Sequence, residues 1–367
     1  MKVIVLHDYF ESLEGGGRLS SVLAQGLPAS LGYGFARARH PFLNVSQPQH
    51  DLRAHSAIPL WRQFKLARTF ARRTAFLKDY DTVIYSGFYT PLAVPHHPSG
   101  RNILYCHTPP RFIYDQRDFY LERLPFYLRP ALQAFIDYLQ PRYEDAIAQM
   151  DILIANSQNV RRRIKHYLGK DALIIYPPCD TARFIWQSQG DYYLSTGRLD
   201  PLKRVDLIIN AFLKMPQKRL IVASGGEEFQ RLQRLAKNAS NIHLTGWLDE
   251  TQLAALVGNA IATLYLPKDE DFGMSPLESM AAGKPVIGVA EGGLLETIIP
   301  EQTGLLLESP PSIEAICQAV ESMTPQRALK MREACQAQAQ RFRTEVFLDK
   351  MKVAYYKLQT TNSRKGR

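Results

Sequence analysis

The sequence has few cysteines and no long apolar stretch, and both features limit the class of protein. Cys106, Cys179, Cys317 and Cys335 lie far apart without C-x-x-C spacing, so neither a disulfide framework nor a zinc site is expected. No run of about 18 apolar residues occurs, which predicts that no helix crosses a bilayer. The first apolar run, residues 2–6, is too short for a signal peptide and predicts a strand. We therefore expect a cytoplasmic protein.

The composition is that of an ordinary globular enzyme, apart from a clear excess of positive charge. Of 367 residues, 45 are Lys or Arg and 35 are Asp or Glu, a formal net charge of +10. Such an excess attracts acidic partners, whether phosphorylated small molecules, anionic lipid or nucleic acid. The length is about twice that of a single domain, which predicts two α/β domains.

Short β-branched runs recur along the chain, each followed by a turn and a helical pattern, as is typical of parallel α/β sheets. Pro177-Pro178 separates two such series, and we expect the hinge near 177–186 because the proline pair disfavours helix. The predicted fold is α/β, with two Rossmann-like doubly wound parallel-sheet domains facing a central cleft. The predicted strands are 2–6, 82–85, 102–105, 152–155 and 173–176, then 192–195, 219–223, 242–244, 261–265, 285–289 and 304–307.

The most specific pattern lies at 269–285, where Glu270 and Glu278 are separated by seven residues. Glu270 is predicted on the loop after a strand, and Glu278 one turn into a helix that begins near Pro276. Both carboxylates can therefore face one ligand. Backbone amides between them would lie at a helix N-terminus, which suits a phosphate or a sugar. These amides belong to Phe272, Gly273, Met274 and Ser275.

Two cations follow the predicted strand 192–195. Arg198 comes after a glycine turn, and Lys203 lies beside a predicted helix start at Pro201. A rigid guanidinium and a mobile ammonium suit a diphosphate leaving group. Negative charge increases on the diphosphate as the glycosyl bond to its oxygen breaks. A solvated basic turn is the alternative interpretation.

Two further candidates lie in the first half of the chain. Gly15 and Gly16 begin a run of three glycines before a helical pattern that starts near Leu19. Glycines let backbone amides approach an anion, although a flexible turn explains them as well. His107 ends a predicted strand, where a neutral imidazole can hydrogen-bond a sugar hydroxyl, although a structural role is an equal alternative.

Taken in chain order, these patterns resemble the retaining family-four glycosyltransferases of the GT-B fold. The resemblance extends from Gly15 to about Gly304, and residues 105–109 and 176–184 are similar to the mannosyltransferase branch that builds bacterial surface polysaccharides. It implies a retaining, metal-independent hexosyltransferase that needs no cofactor. The implied donor is a nucleotide sugar, with GDP-mannose as the best guess, and the implied acceptor is lipid-linked or a glycan.

The resemblance also implies a role for each candidate. Glu278 would hold the donor ribose, and Arg198 and Lys203 the diphosphate. Glu270 would hold the transferred sugar and His107 would contact its hydroxyls near the anomeric centre, which makes these two the catalytic candidates. The pyrophosphate and hexose would be lined by Gly15, Gly16 and the amides of Phe272, Gly273, Met274 and Ser275.

The expected domains are an acceptor-side domain at 1–180, a nucleotide-sugar-binding domain at 181–340, and a C-terminal helix with a basic tail at 341–367 that returns to the first domain. Residues 61–78 combine aromatic and apolar side chains with six cations and resemble an interfacial helix. With the basic residues 161–166, they would give peripheral contact with an anionic leaflet at the inner face of the cell membrane. Ordinary packing explains both segments equally well.

Two other classes of function remain open at this stage. One is a nucleotide-sugar epimerase on the same fold, and the other is a non-catalytic protein that binds anionic membrane or nucleic acid. Neither explains the spacing of Glu270 and Glu278, and nucleic acid is not an expected partner. Aromatic residues from Tyr114 to Tyr127 are candidates for an acceptor wall, although such stripes are more often core.

Overall fold

The computed structural model describes residues 2–12, 14–44 and 46–362, with the backbone alone for 357–362. The end of the expected basic tail, 363–367, lies outside the described residues. Across the described part of the chain, no helix combines the length and the apolar character that a bilayer crossing requires.

The chain forms two compact units. The N-terminal unit contains residues 1–177 and 347–367, and the C-terminal unit contains residues 178–346. The sequence patterns had placed the corresponding boundaries after residues 180 and 340. Each unit is built on a parallel sheet, so the predicted two-domain α/β class is confirmed.

The sheet of the N-terminal unit has seven strands in the described residues, in the order β3-β2-β1-β4-β5-β6-β7. The central strands β1 and β4 are apolar almost throughout because helices cover both faces of a parallel sheet. The strands are β1 (Val3–His7), β2 (Ser30–Tyr33), β3 (Gln49–Asp51), β4 (Thr82–Ser86), β5 (Arg101–Cys106), β6 (Ile152–Ala155) and β7 (Leu173–Ile174).

Helices pack on both faces of this sheet. They are α1 (Gly15–Gly26), α2 (Pro59–Arg72), α3 (Arg117–Glu122), α4 (Arg129–Ala148) and α5 (Gln158–Leu168), with 3-10 turns at Pro41–Leu43, Ala75–Asp79, Thr90–His96 and Phe126–Leu128. The last helix, α14 (Thr344–Asn362), also belongs here from Phe347 onward. Phe347 packs edge-on against Tyr105 at 5.8 Å, and Met351 joins the same buried cluster.

Strands β2 and β3 were missed by the sequence prediction. β2 contains Gly32, whose missing side chain leaves room for Leu6, because a Cβ there would lie 2.6 Å from a Leu6 methyl carbon. β3 reads Gln-His-Asp, an edge strand with no apolar residue. Neither strand carries the β-branched enrichment that marks a buried strand.

The sheet of the C-terminal unit has six strands in the described residues, in the order β10-β9-β8-β11-β12-β13. Its strands are β8 (Tyr192–Ser195), β9 (Arg219–Val222), β10 (Ile242–Leu244), β11 (Thr263–Tyr265), β12 (Val286–Val289) and β13 (Gly304–Leu307). Its helices are α6 (Val205–Leu213), α7 (Phe229–Leu235), α8 (Glu250–Asn259), α9 (Met274–Ala281), α10 (Leu294–Thr297), α11 (Ile313–Ser322), α12 (Pro325–Lys330) and α13 (Arg332–Gln340), with a 3-10 turn at Pro201–Lys203.

Candidate active site

In the C-terminal unit, the predicted donor-binding residues follow neighbouring strands at the edge where those strands end. β8, β11 and β12 are adjacent and parallel, so the loops that leave their carboxyl ends lie side by side. The loop after β8 carries Arg198 and Lys203, and the loop after β11 carries Glu270. This edge is where open α/β sheets bind their ligands.

Lys203 and Glu270 form the centre of this edge. The Lys203 Nζ lies 2.5 Å from the Glu270 Oε2 and 3.2 Å from the Tyr265 hydroxyl, which in turn donates to the same carboxylate oxygen at 3.1 Å. Both charged side chains are about four-fifths buried, at 19% and 18% exposure. Burial alone lowers the pKa of Lys203, but the neighbouring Tyr265 and Glu270 outweigh it, so its pKa is raised and the ammonium stays charged.

Arg198 lies on the same loop but is far more open to solvent. Its Nε donates to the Asp200 carboxylate at 3.1 Å, and its side chain is 55% exposed. Asp200 also accepts the backbone N–H of Leu202 at 3.0 Å, which fixes the start of the 3-10 turn that carries Lys203. The guanidinium is therefore placed at the rim of the cluster, within the same loop.

Backbone contacts hold the loop that carries Glu270. The N–H of Lys268 donates to the Leu202 carbonyl at 2.6 Å, and the N–H of Gly293 donates to the Glu270 carbonyl at 2.8 Å. Position 293 requires glycine because a Cβ there would lie 2.4 Å from the Cα of Phe272. The conformation includes Asp269 at φ 48°, in the left-handed region that non-glycine residues seldom adopt.

Glu291 anchors this loop from the end of β12. Its carboxylate accepts from the Arg204 guanidinium at 2.7 Å, from the N–H of Asp269 at 2.8 Å and from the Ser309 hydroxyl. Burial alone raises the pKa of Glu291, but these three donors outweigh it, so its pKa is lowered. Sequence reasoning missed Glu291 and Tyr265. The only local signal for Glu291 was its position at a strand end, directly before Gly292 and Gly293.

The expected helix N-terminus is present, two residues earlier than predicted. α9 begins at Met274, and Gly273 before it has φ 91°, which favours glycine. The first turn has no acidic residue and no side-chain cap from Gly273, so its amides remain suited to an anion. Phe272 is 3% exposed and packs against Phe342 at 5.7 Å, so its backbone alone is available to a ligand. Glu278 is half-buried in the second turn of α9.

In the N-terminal unit, His107 follows β5 as predicted and belongs to a hydrogen-bonded cluster. Its Nε2 lies 2.9 Å from the Ser86 Oγ, which lies 2.9 Å from the Ser20 Oγ. His7 Nδ1 lies 2.6 Å from the Ser86 carbonyl oxygen. Burial lowers the pKa of His107 to about 3 and that of His7 to about 4, so both rings are neutral at pH 7.

The glycine run does not form a loop. α1 begins at Gly15, so the glycines make up its first turn, and the predicted start near Leu19 was wrong. A Cβ on Gly16 would lie 3.4 Å from the His7 ring and 3.6 Å from the His107 Nε2. The first turn of α1 at Gly16 therefore lies beside both histidines.

The two segments predicted to contact membrane each bury part of their side chains in the N-terminal unit. In α2, Leu66, Ala67 and Phe70 are fully buried in the core of the unit, so this apolar face is packing surface. In the basic run 161–166, Arg163 is 8% exposed and its Nη1 donates to the Thr108 hydroxyl at 3.2 Å. Arg163 therefore supports the segment after His107, whereas Arg162, Lys165 and His166 are exposed.

The structure thus brings the predicted residues together within each unit. The C-terminal unit groups Arg198, Lys203 and Glu270 near the start of α9, and the N-terminal unit groups His107 with the start of α1. In the described residues, no group of three or more His, Cys, Asp or Glu side chains could hold a metal ion.

Comparison with known proteins identifies the C-terminal region. Residues 180–342 match the family described as "Glycosyl transferases group 1". The chain is 25% identical over 287 residues to human "Alpha-1,3/1,6-mannosyltransferase ALG2", covering 68% of this chain and 66% of that protein. It is 28% identical over 170 residues to "Uncharacterized glycosyltransferase MJ1178" of Methanocaldococcus jannaschii, covering 45% of this chain and 48% of the relative. The matches therefore span about half to two thirds of these relatives.

The fold is similar over almost the entire chain to a solved structure, "Sucrose-phosphate synthase (tll1590) from Thermosynechococcus elongatus". The TM-score is 0.79 at 18% identity, with 98% of this chain and 100% of that chain covered. The fold is that of the GT-B glycosyltransferases, and residues 180–342 are similar to the glycosyl transferases group 1 family.

Replacing Glu291 with alanine is expected to lower the free energy of unfolding by about 2 kcal/mol, somewhat less than for a fully buried pair. The reason is that the change leaves the Arg204 guanidinium, whose side chain is 16% exposed, without its carboxylate. Urea denaturation measures the effect. The matched control is Glu314→Ala, which breaks the exposed Lys214–Glu314 pair and should cost about 0.5 kcal/mol. Equal losses in the two variants would contradict the anchoring role.

Stability should fall as the pH is lowered from about 6.5 to 4. The pKa of an exposed histidine is about 6.5, whereas His7 and His107 have pKa values of about 4 and 3 in the folded state. Unfolding below pH 6.5 therefore takes up protons, and stability that is complete above pH 6.5 is lost towards pH 4. Asp8 partly offsets this loss, because burial raises its pKa to about 6 and the folded state then binds the extra proton.

Thermal denaturation between pH 7 and 4.5 measures this loss. His107→Gln should reduce the proton uptake on unfolding by about one. His243→Gln is the control, because His243 is exposed on β10 and its removal should leave the slope unchanged. An unchanged slope in His107→Gln would show that this ring is not held neutral by the fold.

Proposed function

We propose that this glycosyltransferase is a retaining mannosyltransferase that uses GDP-mannose. Its acceptor would be a lipid-linked or glycan acceptor in the synthesis of a bacterial surface polysaccharide. The observation that carries the proposal is the cluster of Lys203, Glu270 and Tyr265 at the carboxyl edge of a parallel sheet, beside the start of α9. This cluster combines a buried cation and a carboxylate on a loop that leads into the start of α9.

The donor diphosphate would lie against the cations of this edge. Lys203 stays charged, and the amides of the first turn of α9 add partial positive charge. Arg198, at the exposed rim, would close on the diphosphate when the donor binds. Charge develops on the leaving phosphate as the glycosyl bond breaks, so cations fixed at that point lower the barrier. Glu278 would accept hydrogen bonds from the ribose hydroxyls.

Within the C-terminal unit, Glu270 would hold the transferred sugar; within the N-terminal unit, His107 is the residue suited to contact a sugar hydroxyl. A carboxylate accepts hydrogen bonds from sugar hydroxyls, and a neutral imidazole offers a further hydrogen bond without adding charge. In the proposed step, the bond between the anomeric carbon and the phosphate oxygen breaks. The acceptor oxygen bonds to the anomeric carbon on the face from which the phosphate leaves, and its proton moves to the leaving phosphate. The configuration is retained, and neither a metal nor a cofactor is required.

The choice of mannose rests on the relatives. Human ALG2 is named an alpha-1,3/1,6-mannosyltransferase, and the match extends over 287 residues. The family match over residues 180–342 favours transfer over the two other functions considered from the sequence, epimerisation and non-catalytic binding. A protein that only bound an anionic surface would not need the enclosed Lys203–Glu270 pair.

Peripheral contact with the inner face of the cell membrane is also proposed, through exposed aromatic residues of the N-terminal unit. Tyr120, Phe126 and Tyr127 are 40%, 80% and 66% exposed. Arg123 and Arg129 lie in the same segment and are exposed. Aromatic rings next to arginines suit the boundary between headgroups and acyl chains of an anionic leaflet. The start of α2 adds Trp61, which is 55% exposed, although the apolar face of that helix is buried.

GDP-mannose should raise the melting temperature of the protein in a concentration-dependent way, because a ligand that binds only the folded state stabilises it by mass action. UDP-glucose and dTDP-glucose should give smaller shifts. Glu278→Ala and Arg198→Ala should each reduce the shift by removing a donor contact. The control is Arg219→Ala, which removes an exposed arginine paired with Asp191 in the same unit.

Retention is tested next with the donor that gives the largest shift. The anomeric configuration of the product, read from its one-bond carbon–proton coupling, should match that of the donor. Inversion would exclude the proposed same-face step. A protein that no nucleotide sugar stabilises, but that anionic vesicles do, would overturn the donor assignment.

Replacing Phe126 and Tyr127 with serine should weaken binding to vesicles that contain anionic lipid by at least about tenfold, since each ring loses apolar contact with the interface. Vesicle co-sedimentation measures the change. Ile185→Ser is the matched control, because Ile185 is 55% exposed in the C-terminal unit. If the wild type, the Phe126 and Tyr127 variant and the control bind the vesicles equally, the aromatic segment does not contribute to membrane binding.

A further inference from the structure

A continuous row of hydrogen bonds leads from His107 into the N-terminal unit. The ring Nε2 is 2.9 Å from the Ser86 Oγ, and the Ser86 Oγ is 2.9 Å from the Ser20 Oγ. Ser20 also lies 2.9 Å from the Gly16 carbonyl oxygen. Both serines are 0% exposed, so water does not compete for these contacts. The row therefore joins a candidate catalytic ring to the backbone at the start of α1.

The protons in this row can be placed from groups that only accept. A carbonyl oxygen cannot donate, so the 2.9 Å contact between Ser20 and Gly16 is made by the Ser20 proton. For the same reason, His7 carries its proton on Nδ1, 2.6 Å from the Ser86 carbonyl. His7 therefore does not accept the Ser20 proton, although its Nδ1 is 3.1 Å from the Ser20 Oγ.

We propose that Ser20 and Ser86 are positioning residues that hold His107 in the tautomer protonated on Nε2. Because Ser20 donates to Gly16, it accepts the proton of Ser86. Because Ser86 donates to Ser20, it accepts the proton of the His107 Nε2. In this arrangement His107 donates to Ser86, Ser86 donates to Ser20, and Ser20 donates to the Gly16 carbonyl, where the row ends. His7 fixes the end of β4 that carries Ser86 by donating to its carbonyl.

The reverse order is unfavourable. If Ser86 donated to the His107 Nε2, Ser20 would have to turn its proton towards Ser86. Two oxygens, of Ser20 and of the Gly16 carbonyl, would then face each other at 2.9 Å without a proton between them. In a buried site this repulsion is not relieved by water.

The tautomer of His107 determines whether its Nδ1, the nitrogen not bonded to Ser86, donates or accepts a hydrogen bond. In this tautomer Nε2 is bonded inward and Nδ1 carries no proton, so Nδ1 can only accept a hydrogen bond. It would accept a hydrogen bond from a hydroxyl of the transferred sugar and could not donate one to the leaving oxygen. This step rests on the proposed function. The tautomer itself does not, because it is set by contacts within the unbound protein.

The test is a long-range proton–nitrogen correlation spectrum of the full chain, labelled with ¹⁵N in its histidines, at pH 7.5. His107→Gln assigns the His107 signals. The wild-type ring should show a protonated Nε2 and an unprotonated Nδ1. In Ser20→Ala the Ser86 proton loses its acceptor and turns to the His107 Nε2, so the major tautomer should become the one protonated on Nδ1.

Ser21→Ala is the matched control. Ser21 lies next in the same helix, is nearly buried, and accepts from Gln25 at 3.4 Å without joining the row. It should leave the His107 tautomer unchanged. A wild-type ring protonated on Nδ1 would overturn the proposal, and so would a folded Ser20→Ala protein with wild-type signals. If Ser20→Ala does not fold, the wild-type spectrum alone decides.

Addition of GDP-mannose separates this inference from the proposed function. If the tautomer is as expected and the donor moves the Nδ1 signal, both are supported. If the tautomer is as expected but the donor neither moves the signal nor stabilises the protein, the donor assignment fails and the positioning role stands. Ser20→Ala should also lower kcat for the donor by about tenfold with little change in KM, because the acceptor nitrogen and not the donor grip is altered.

Discussion

Parallel strand pairing is the constraint on which the rest of each unit depends. Because neighbouring strands run in the same direction, every strand ends at one edge, and loops distant in sequence become neighbours there. Lys203 and Glu270 are 67 residues apart along the chain, yet pair at that edge. In the N-terminal unit, Ser86 ends β4 and His107 directly follows the adjacent strand β5, so the two residues meet in the same way.

This constraint explains which features the sequence could predict. Strand ends, the spacing of Glu270 and Glu278, and the helix start near Pro276 are local patterns, and they located most of the C-terminal cluster. The contacts of Glu291 with Arg204 join residues 87 apart, and no local pattern indicates them. From the sequence, Tyr265 is the end of an apolar strand. Its hydroxyl donates to the Glu270 carboxylate because the loop after β11 brings Glu270 back towards it, and no local pattern indicates that contact.

The glycines also show that local sequence patterns do not reveal long-range contacts. A run of glycines predicts backbone freedom, and Gly15 and Gly16 were therefore expected in a loop. They are helical, and a Gly16 Cβ would be in ordinary contact with the His7 ring, at 3.4 Å. Gly293 is required by its surroundings, since the backbone of Phe272 occupies the place of a side chain. The sequence shows where the glycines are. The residues that pack against them are brought there by the tertiary structure, so they cannot be read from the local sequence.

The pairing of Lys203 with Glu270 has a consequence for ligand binding. A cation and a carboxylate that are four-fifths buried without each other would lose much of their hydration, so in the unbound protein each serves as the other's partner. Under the proposed function, a nucleotide sugar would bring a diphosphate for the cation and hydroxyl groups for the carboxylate, and would replace both partners at once. A free nucleotide would supply only the first. The cluster would therefore favour the intact donor over its nucleotide product, which would help release of the nucleotide after transfer.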